Sequence, residues 1–110
     1  MWGARSIHCR RHGAAVNAQS RVISALRSVS AERRLPPQDR TSGAADAALD
    51  WAIGQLSEAQ RHLAAGQWEA ADIATAQVAR RAIDSWSLTS RVSEAVCSAA
   101  QEVRARSGLL

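Results

Sequence analysis

The sequence predicts an all-α protein, a small three- to four-helix bundle around an antiparallel helical hairpin of residues about 44–65 and 67–86. One observation is a stripe in which alanine and leucine alternate at gaps of four and three residues, the repeat of a single helix face. A second is Gly66, which interrupts the stripe before Trp68 restarts an apolar pattern. The members of the stripe are Ala45, Leu49, Ala52, Leu56, Ala59 and Leu63.

Length and composition limit the class of protein. A chain of 110 residues has room for one domain with a modest core. Because Phe and Tyr are absent, core bulk must come from four tryptophans and scattered Leu, Ile and Val. No apolar run approaches the ~20 residues that span a bilayer, so we expect no membrane span. Cys9 and Cys97 have no CxxC spacing and nothing indicates a secretory signal, so we expect reduced thiols in a cytoplasmic protein.

Positive charge is concentrated in the first third of the chain. Residues 1–34 hold seven arginines and one acidic residue, whereas residues 35–110 hold seven arginines and nine acidic residues. This asymmetry suggests a basic N-terminal segment, 1–43, and a helical domain, 44–110. An alternative function is therefore a nucleic-acid-binding accessory protein. The arginines that would contact nucleic acid are Arg5, Arg10, Arg11, Arg21, Arg27, Arg33 and Arg34. Residues 1–31 contain Arg and Ser but no acidic residue, which is also the composition of an organelle transit peptide, so an organelle is the alternative location.

The basic segment is expected to contain one helix. Residues 1–13 have no helical periodicity and are expected to be disordered, whereas residues 14–34 show the period of one helix face. The helix must end near Arg34, because Leu35-Pro36-Pro37 disfavours helical geometry and removes two backbone donors. The polar linker that follows, residues 38–43, is the expected hinge. The helix either joins the bundle as a fourth member or remains mobile.

The first helix of the hairpin has recognisable ends, and the second has a broad apolar arc. Thr41 or Ser42 can cap the first helix by accepting a hydrogen bond from a free backbone amide, and Gly66 can end it in the left-handed conformation. Ile73 lies outside the apolar arc of the second helix, either as a second contact surface or as an ordinary exposed residue. That arc consists of Trp68, Ala71, Thr75, Val78, Ala79, Ala82, Ile83 and Trp86.

The end of the chain is expected to form a turn and one more helix. Residues 85–90 are rich in hydroxyl groups and indicate a turn or kink. Residues 107–110 are expected to fray. The apolar positions that outline the final helix are Leu88, Val92, Ala95, Ala99 and Val103.

No catalytic, cofactor or metal site is indicated. His8, Cys9 and His12 lie close together, but a stable zinc site needs a fourth ligand, so we interpret them as part of an arginine-rich tail. The sequence has no nucleophile elbow and no Gly-rich phosphate loop. Asp46 and Asp50 are four residues apart, which we interpret as a solvated helix start because the nearest histidine along that helix is too distant. We therefore expect no enzymatic activity.

The junction of the hairpin resembles a known family. Gly66-Gln67-Trp68-Glu69-Ala70-Ala71, followed by the Ala-rich residues 76–83, resembles the second helix of HEPN-domain proteins. The resemblance covers residues 45–86, and tetratricopeptide repeats and helical export chaperones have a similar glycine–aromatic junction. It implies a small helical bundle. Active HEPN ribonucleases carry an Arg…His motif after this helix, whereas here no histidine follows His62, so the resemblance implies a non-catalytic or degenerate RNA-associated member.

These observations favour a non-catalytic helical protein-interaction module of adaptor, chaperone or regulatory type. A short hairpin rich in alanine has a marginal core, and an uncovered apolar face favours self-association or a partner helix. We expect a homodimer or a complex with another protein through residues 45–86. The residues expected to take part are Leu49, Leu56, Leu63, Trp68, Ile73, Val78 and Trp86.

Overall fold

The computed structural model describes the backbone of residues 2–107 and the side chains of residues 17–107. Over that backbone the chain forms four α-helices, α1 (Trp2–Arg34), α2 (Asp46–Ala64), α3 (Trp68–Ser85) and α4 (Arg91–Ser107), with a 3-10 turn at Pro37–Asp39. Each helix packs against the next, and α4 packs back against α1. The predicted all-α bundle is therefore confirmed. Of the end predicted to fray, only Ser107 lies within the described residues, as the last residue of α4.

All four helices contribute to one core. Its largest fully buried aliphatic side chains include Val22 and Val29 of α1, Leu49 and Leu56 of α2, and Val78 of α3. Because many other core positions are alanine, the helix backbones can approach one another closely. The other buried apolar residues are Ala18, Ala25, Ala44, Ala52, Ala59, Leu63, Ala71, Ala74, Ala82, Trp86, Val92, Val96, Ala99 and Val103.

Helix α1 is longer than predicted. It begins at Trp2, whereas the sequence pattern predicts a helix over residues 14–34 and disorder over residues 1–13. Because lengthening an existing helix needs no new nucleus and no proline precedes position 36, the helix extends beyond its periodic part. The core residues of α1 are Ala18, Val22, Ala25 and Val29. The helix is therefore a fourth member of the bundle, and the described parts of the predicted segments 1–43 and 44–110 share one core.

A buried arginine organises the connection between α1 and α2. The Arg40 guanidinium donates to the backbone carbonyls of Glu32, Arg33 and Ala44 at 3.1–3.2 Å. It also donates to the Asp46 carboxylate at the start of α2. Two of these carbonyls, those of Glu32 and Arg33, belong to the last turn of α1, where carbonyls have no partner within the helix. A buried cation therefore ties the loop that was expected to be a hinge to both helices.

The same loop replaces the predicted side-chain cap of α2. The buried Glu32 carboxylate accepts a hydrogen bond from the Ser42 N–H at 2.8 Å. The Ser42 hydroxyl in turn accepts one from the Ala44 N–H at 3.1 Å. The N-cap residue of α2 is Ala45, which makes no side-chain cap bond. Neither Thr41 nor Ser42 caps the helix, since the Ser42 hydroxyl is used inside the loop.

Gly66 ends α2 as predicted. Its φ of 75° lies in the left-handed region that a glycine adopts without a Cβ penalty. The Gly66 N–H donates to the Leu63 carbonyl at 3.1 Å and the Gln67 N–H to the His62 carbonyl at 2.8 Å, the two bonds of a Schellman motif. The stripe of α2 is buried from Leu49 onward, whereas its first member, Ala45, is exposed.

Serine side chains build the turn between α3 and α4. The Ser87 N–H donates to the Ser42 carbonyl at 2.9 Å, which joins the turn to the α1–α2 loop. The Ser87 carbonyl accepts hydrogen bonds from the hydroxyls of Ser90 and Ser93 at 2.9 and 2.7 Å. The predicted turn is confirmed. Leu88 was expected on the buried stripe of the last helix, but it lies in this turn and is exposed because α4 begins only after it.

Candidate protein-interaction site

One side of α3 carries two large apolar side chains that the bundle leaves exposed. Ile73 is 54% exposed and Ile83 is 57% exposed. With Ala76 and Arg80 between them, they follow gaps of three, four and three residues, the spacing of one helix face. The opposite face, through Val78, is buried. Helix α3 is therefore apolar on two sides, and residues 17–107 cover one of them much less than the other.

This side of α3 borders a groove between α3 and α4, called here the α3–α4 groove. It has a volume of about 480 Å³ and is open to solvent. Because the side chains of Ala76 and Ala100 end at Cβ, the surface between the longer side chains is recessed. Its lining residues are Asp72, Ile73, Ala76, Gln77, Ala79, Arg80 and Ile83 from α3, and Ala100, Gln101 and Arg104 from α4.

An ion pair joins the two helices at the Ile73 end of the groove. The Asp72 side chain is only 5% exposed, and it accepts two hydrogen bonds from Arg104 of α4. Arg104 donates from Nε to Oδ1 and from Nη2 to Oδ2, both at 3.3 Å. These hydrogen bonds raise the pKa of Arg104 above its ordinary value, with the Coulomb attraction of Asp72 acting in the same direction. The Arg104 side chain remains 51% exposed, so part of it still faces solvent.

The accessible charge of the α3–α4 groove is positive. Within residues 17–107, Arg80 forms no ion pair with a carboxylate. Arg104 is the second exposed cation of the lining. The acidic residue of the lining, Asp72, is buried and engaged by Arg104. A molecule confined to the groove would therefore meet two guanidinium groups, whereas the exposed carboxylates of Glu69 and Asp84 lie on the same side of α3 beyond the lining.

The structure places most of the predicted interaction residues in the core. Trp68 is half-buried and packs against the core. Ile73 is the exposed member of the predicted set. The buried members are Leu49, Leu56, Leu63, Val78 and Trp86. In this fold these five side chains stabilise the bundle and are not available to a partner, because other helices already cover them.

Ile83 is the groove residue that the sequence pattern assigns wrongly. It was expected in the buried arc of α3, yet it is more than half exposed. The predicted arc is wider than the surface that α2 and α4 cover, and Ala79 near its edge is only half-buried. The available signal was the spacing between Ile83 and Ile73, which places both on a second face. The pairing of Asp72 with Arg104 has no local sequence signal, because 32 residues separate them.

The arginines predicted to contact nucleic acid have different environments. Arg33 pairs with Asp50 at 2.8 Å, and Arg21 donates to a serine hydroxyl of α4 at 3.3 Å. The hydrogen bond with Asp50 raises the pKa of Arg33 above its ordinary value. Arg27 and Arg34 are exposed on α1 and lie two helical turns apart. The side chains of Arg5, Arg10 and Arg11 lie outside the described residues.

The described residues contain neither a metal-binding cluster nor a membrane-spanning helix. No group of three or more His, Cys, Asp or Glu side chains among them could hold a metal ion. The side chains of His8, Cys9 and His12 are outside the range that the structure describes, residues 17–107. Asp46 and Asp50, predicted to be a solvated helix start, both form ion pairs with Arg33. None of the helices, over the part searched, has the length and apolar character needed to cross a membrane.

Comparisons with known proteins do not supply a relative. No protein-family model, curated protein or solved structure matches the chain. The resemblance of residues 45–86 to HEPN domains therefore stays a prediction.

Proposed function

We propose that the protein is a non-catalytic helical protein-interaction module, of adaptor, chaperone or regulatory type, and that the α3–α4 groove is its contact surface. The observation that carries the proposal is the pair of exposed residues Ile73 and Ile83 on one side of α3. Burying a large aliphatic side chain is worth about 1.5–3 kcal/mol. Two such side chains beside a recess therefore favour contact with another protein.

The form of the groove supports a protein ligand over a small substrate. Small-molecule sites enclose most of their ligand, whereas this groove is open to solvent. Among the described residues, its lining has no histidine, cysteine, serine or threonine, and the carboxylate of Asp72 is held by Arg104. The groove therefore offers apolar area and positive charge rather than an acid–base pair or a nucleophile.

Site-specific photocrosslinking tests this proposal in the full chain. A benzoylphenylalanine at position 73 is expected to give a discrete protein adduct in extracts of the cells that naturally contain the protein, and mass spectrometry then identifies it. Adding Ile83→Ser should reduce the adduct strongly, because this change removes the second apolar anchor. The matched control is benzoylphenylalanine at position 88, since Leu88 is 58% exposed but lies outside the groove.

Two results would contradict the proposal. One is no adduct from position 73 in extracts where the tagged protein is intact and folded. The other is the same set of adducts from positions 73 and 88, which would indicate unspecific capture by any exposed apolar position.

Nucleic-acid binding, including a degenerate HEPN-like role, is the second candidate function. It is favoured by Arg27 and Arg34, which are exposed on α1 and form no ion pair within residues 17–107. If it holds, affinity for a labelled RNA of mixed sequence should fall steeply with salt and with the double change Arg27→Ala/Arg34→Ala. The control Arg61→Ala/Arg106→Ala removes equal charge from arginines that are paired on their own helices. Equal losses in both double variants would exclude a site on α1.

A further inference from the structure

The length and relief of the α3–α4 groove fit one side of a helix. Ile73 and Ile83 are ten residues apart, which corresponds to about 15 Å along α3. Between them, the small side chains of Ala76 on α3 and Ala100 on α4 leave a recess bordered by longer side chains. A ridge of apolar side chains spaced three and four residues apart can lie in such a recess between two helices. A bound helix would need about three turns to reach both isoleucines.

The charges of the groove select among possible helices. Arg80 lies between the two isoleucines along α3, and Arg104 lies at the Ile73 end. Both are accessible, whereas the Asp72 carboxylate is 5% exposed. A helix with lysine or arginine beside its apolar stripe would bring like charges together. A helix with glutamate or aspartate in those positions would supply carboxylates to both guanidinium groups.

A second copy of this chain fits the groove less well. An antiparallel two-fold pairing that sets Ile73 opposite Ile83 of the second copy has its axis level with position 78. Arg80 would then lie about 3 Å along α3 from that axis in each copy. The two Arg80 side chains would approach each other with the same charge, and the lining, within residues 17–107, places no accessible carboxylate between them.

We propose that the α3–α4 groove binds an amphipathic helix of another protein whose apolar stripe is flanked by glutamate or aspartate. This inference rests on the proposed function and specifies the partner of the same surface. Ile73 and Ile83 contact the apolar stripe, and Arg80 and Arg104 contact the flanking carboxylates. The two hydrogen bonds from Arg104 to Asp72 hold the guanidinium in position, and the Asp72 carboxylate itself is buried.

Two synthetic peptides test the proposal with the intact protein. Both have the length of α3, 18 residues, and the same leucine stripe at helical spacing. One carries glutamate and the other lysine on both sides of the stripe. Fluorescence anisotropy with labelled peptides is expected to show at least about fivefold tighter binding of the glutamate peptide at low salt, and this preference should shrink as salt screens the charges.

Variants separate the charge from the apolar contact. Arg80→Glu should weaken the glutamate peptide about fivefold and strengthen the lysine peptide. Its control is Arg91→Glu, an exposed arginine outside this groove. Ile73→Ser should weaken both peptides at least about tenfold, with Leu88→Ser as the matched control. Circular dichroism should show unchanged helix content in all four variants, since the four side chains are exposed.

Each outcome decides a different point. Equal binding of both peptides, or binding of neither, would overturn the acidic-helix assignment even where position 73 crosslinks to one protein, so the proposed function would survive. Absence of that crosslink would instead remove the proposed function. Concentration-dependent dimerisation in sedimentation experiments, lost in Ile73→Ser and kept in Leu88→Ser, would assign the groove to a second copy and overturn the proposal.

Discussion

Asp72 and Arg104 form the ion pair that joins α3 to α4, with two hydrogen bonds of 3.3 Å between a buried carboxylate and a half-exposed guanidinium. The two partners are therefore not equivalent. Without Asp72, Arg104 would still be solvated, whereas without Arg104 the Asp72 carboxylate would lose its counter-ion in a place that water barely reaches. Removing the arginine should consequently harm the fold more than removing both charges.

Arg104→Met tests this asymmetry, because methionine keeps the aliphatic part of the side chain and removes the cation. We expect a lower urea midpoint at neutral pH than for the unmodified protein. The double variant Asp72→Asn/Arg104→Met should recover part of that loss, since it no longer buries an unpaired charge. A double variant that is less stable than Arg104→Met alone would contradict this account.

Leu56 and Ile73 should differ sharply in their contribution to folding. Leu56 is fully buried, so Leu56→Ala should lower the free energy of unfolding by about 2–5 kcal/mol. Ile73→Ala should change it by less than about 0.5 kcal/mol, because most of this side chain is already in water. Denaturant unfolding of both variants measures the difference. A large loss for Ile73→Ala would mean that this isoleucine supports the bundle and is not free for a partner.

The local features of the fold could be predicted from the sequence because they depend on neighbours in the chain. The stripe of α2 follows from the helix period, and its end follows from the one residue that tolerates a positive φ there, Gly66. The extent of α1 could not be predicted in the same way. Its first turns carry no apolar repeat, and the pattern therefore begins later than the helix does.

The features of the fold and of the groove that the sequence did not predict depend on contacts between distant segments. Arg40 looks like any polar linker residue until the end of α1 and the start of α2 meet around it. Ile83 looks like a core residue until the positions of α2 and α4 limit how much of α3 is covered. The candidate site was therefore only partly predictable. The sequence indicated Ile73, because it is an apolar residue outside the predicted arc of α3. It did not indicate that Arg104 of α4 lines the same groove.

The contribution of Asp46 to the stability of the fold should depend on pH. The hydrogen bond from Arg40 lowers the pKa of Asp46 below its ordinary value of 3.8, and the positive charges of Arg33 and Arg40 act in the same direction. The Asp46 carboxylate therefore binds a proton less tightly in the folded protein than in the unfolded chain. The resulting stabilisation is fully present above about pH 4 and is lost as the pH falls through the lowered pKa.

Asp46→Asn should accordingly lower the denaturation midpoint at neutral pH, and the difference from the unmodified protein should shrink below about pH 3. Denaturation curves at several pH values measure this convergence. Asp39→Asn is the matched control, because Asp39 is an exposed carboxylate of the same loop and forms no ion pair within residues 17–107. A difference that stays constant down to about pH 2 would contradict the assigned role of Asp46.

Gly66 and Gly54 allow a test of backbone conformation without any change in packing. A Cβ added at either position would meet no atom within 4 Å, so neither substitution to alanine causes a clash. Gly66 has a φ of 75°, whereas Gly54 lies inside α2. Gly66→Ala should therefore cost about 1–2 kcal/mol, the penalty of a left-handed conformation for a residue with a Cβ. Gly54→Ala should stabilise the protein by about 0.5–1 kcal/mol, because alanine loses less conformational entropy in a helix.

Denaturant unfolding of the two glycine variants should show these opposite signs. Since both sites are exposed and free of clashes, the difference can be assigned to the backbone. Equal effects at the two positions would mean that α2 does not end at Gly66 in solution.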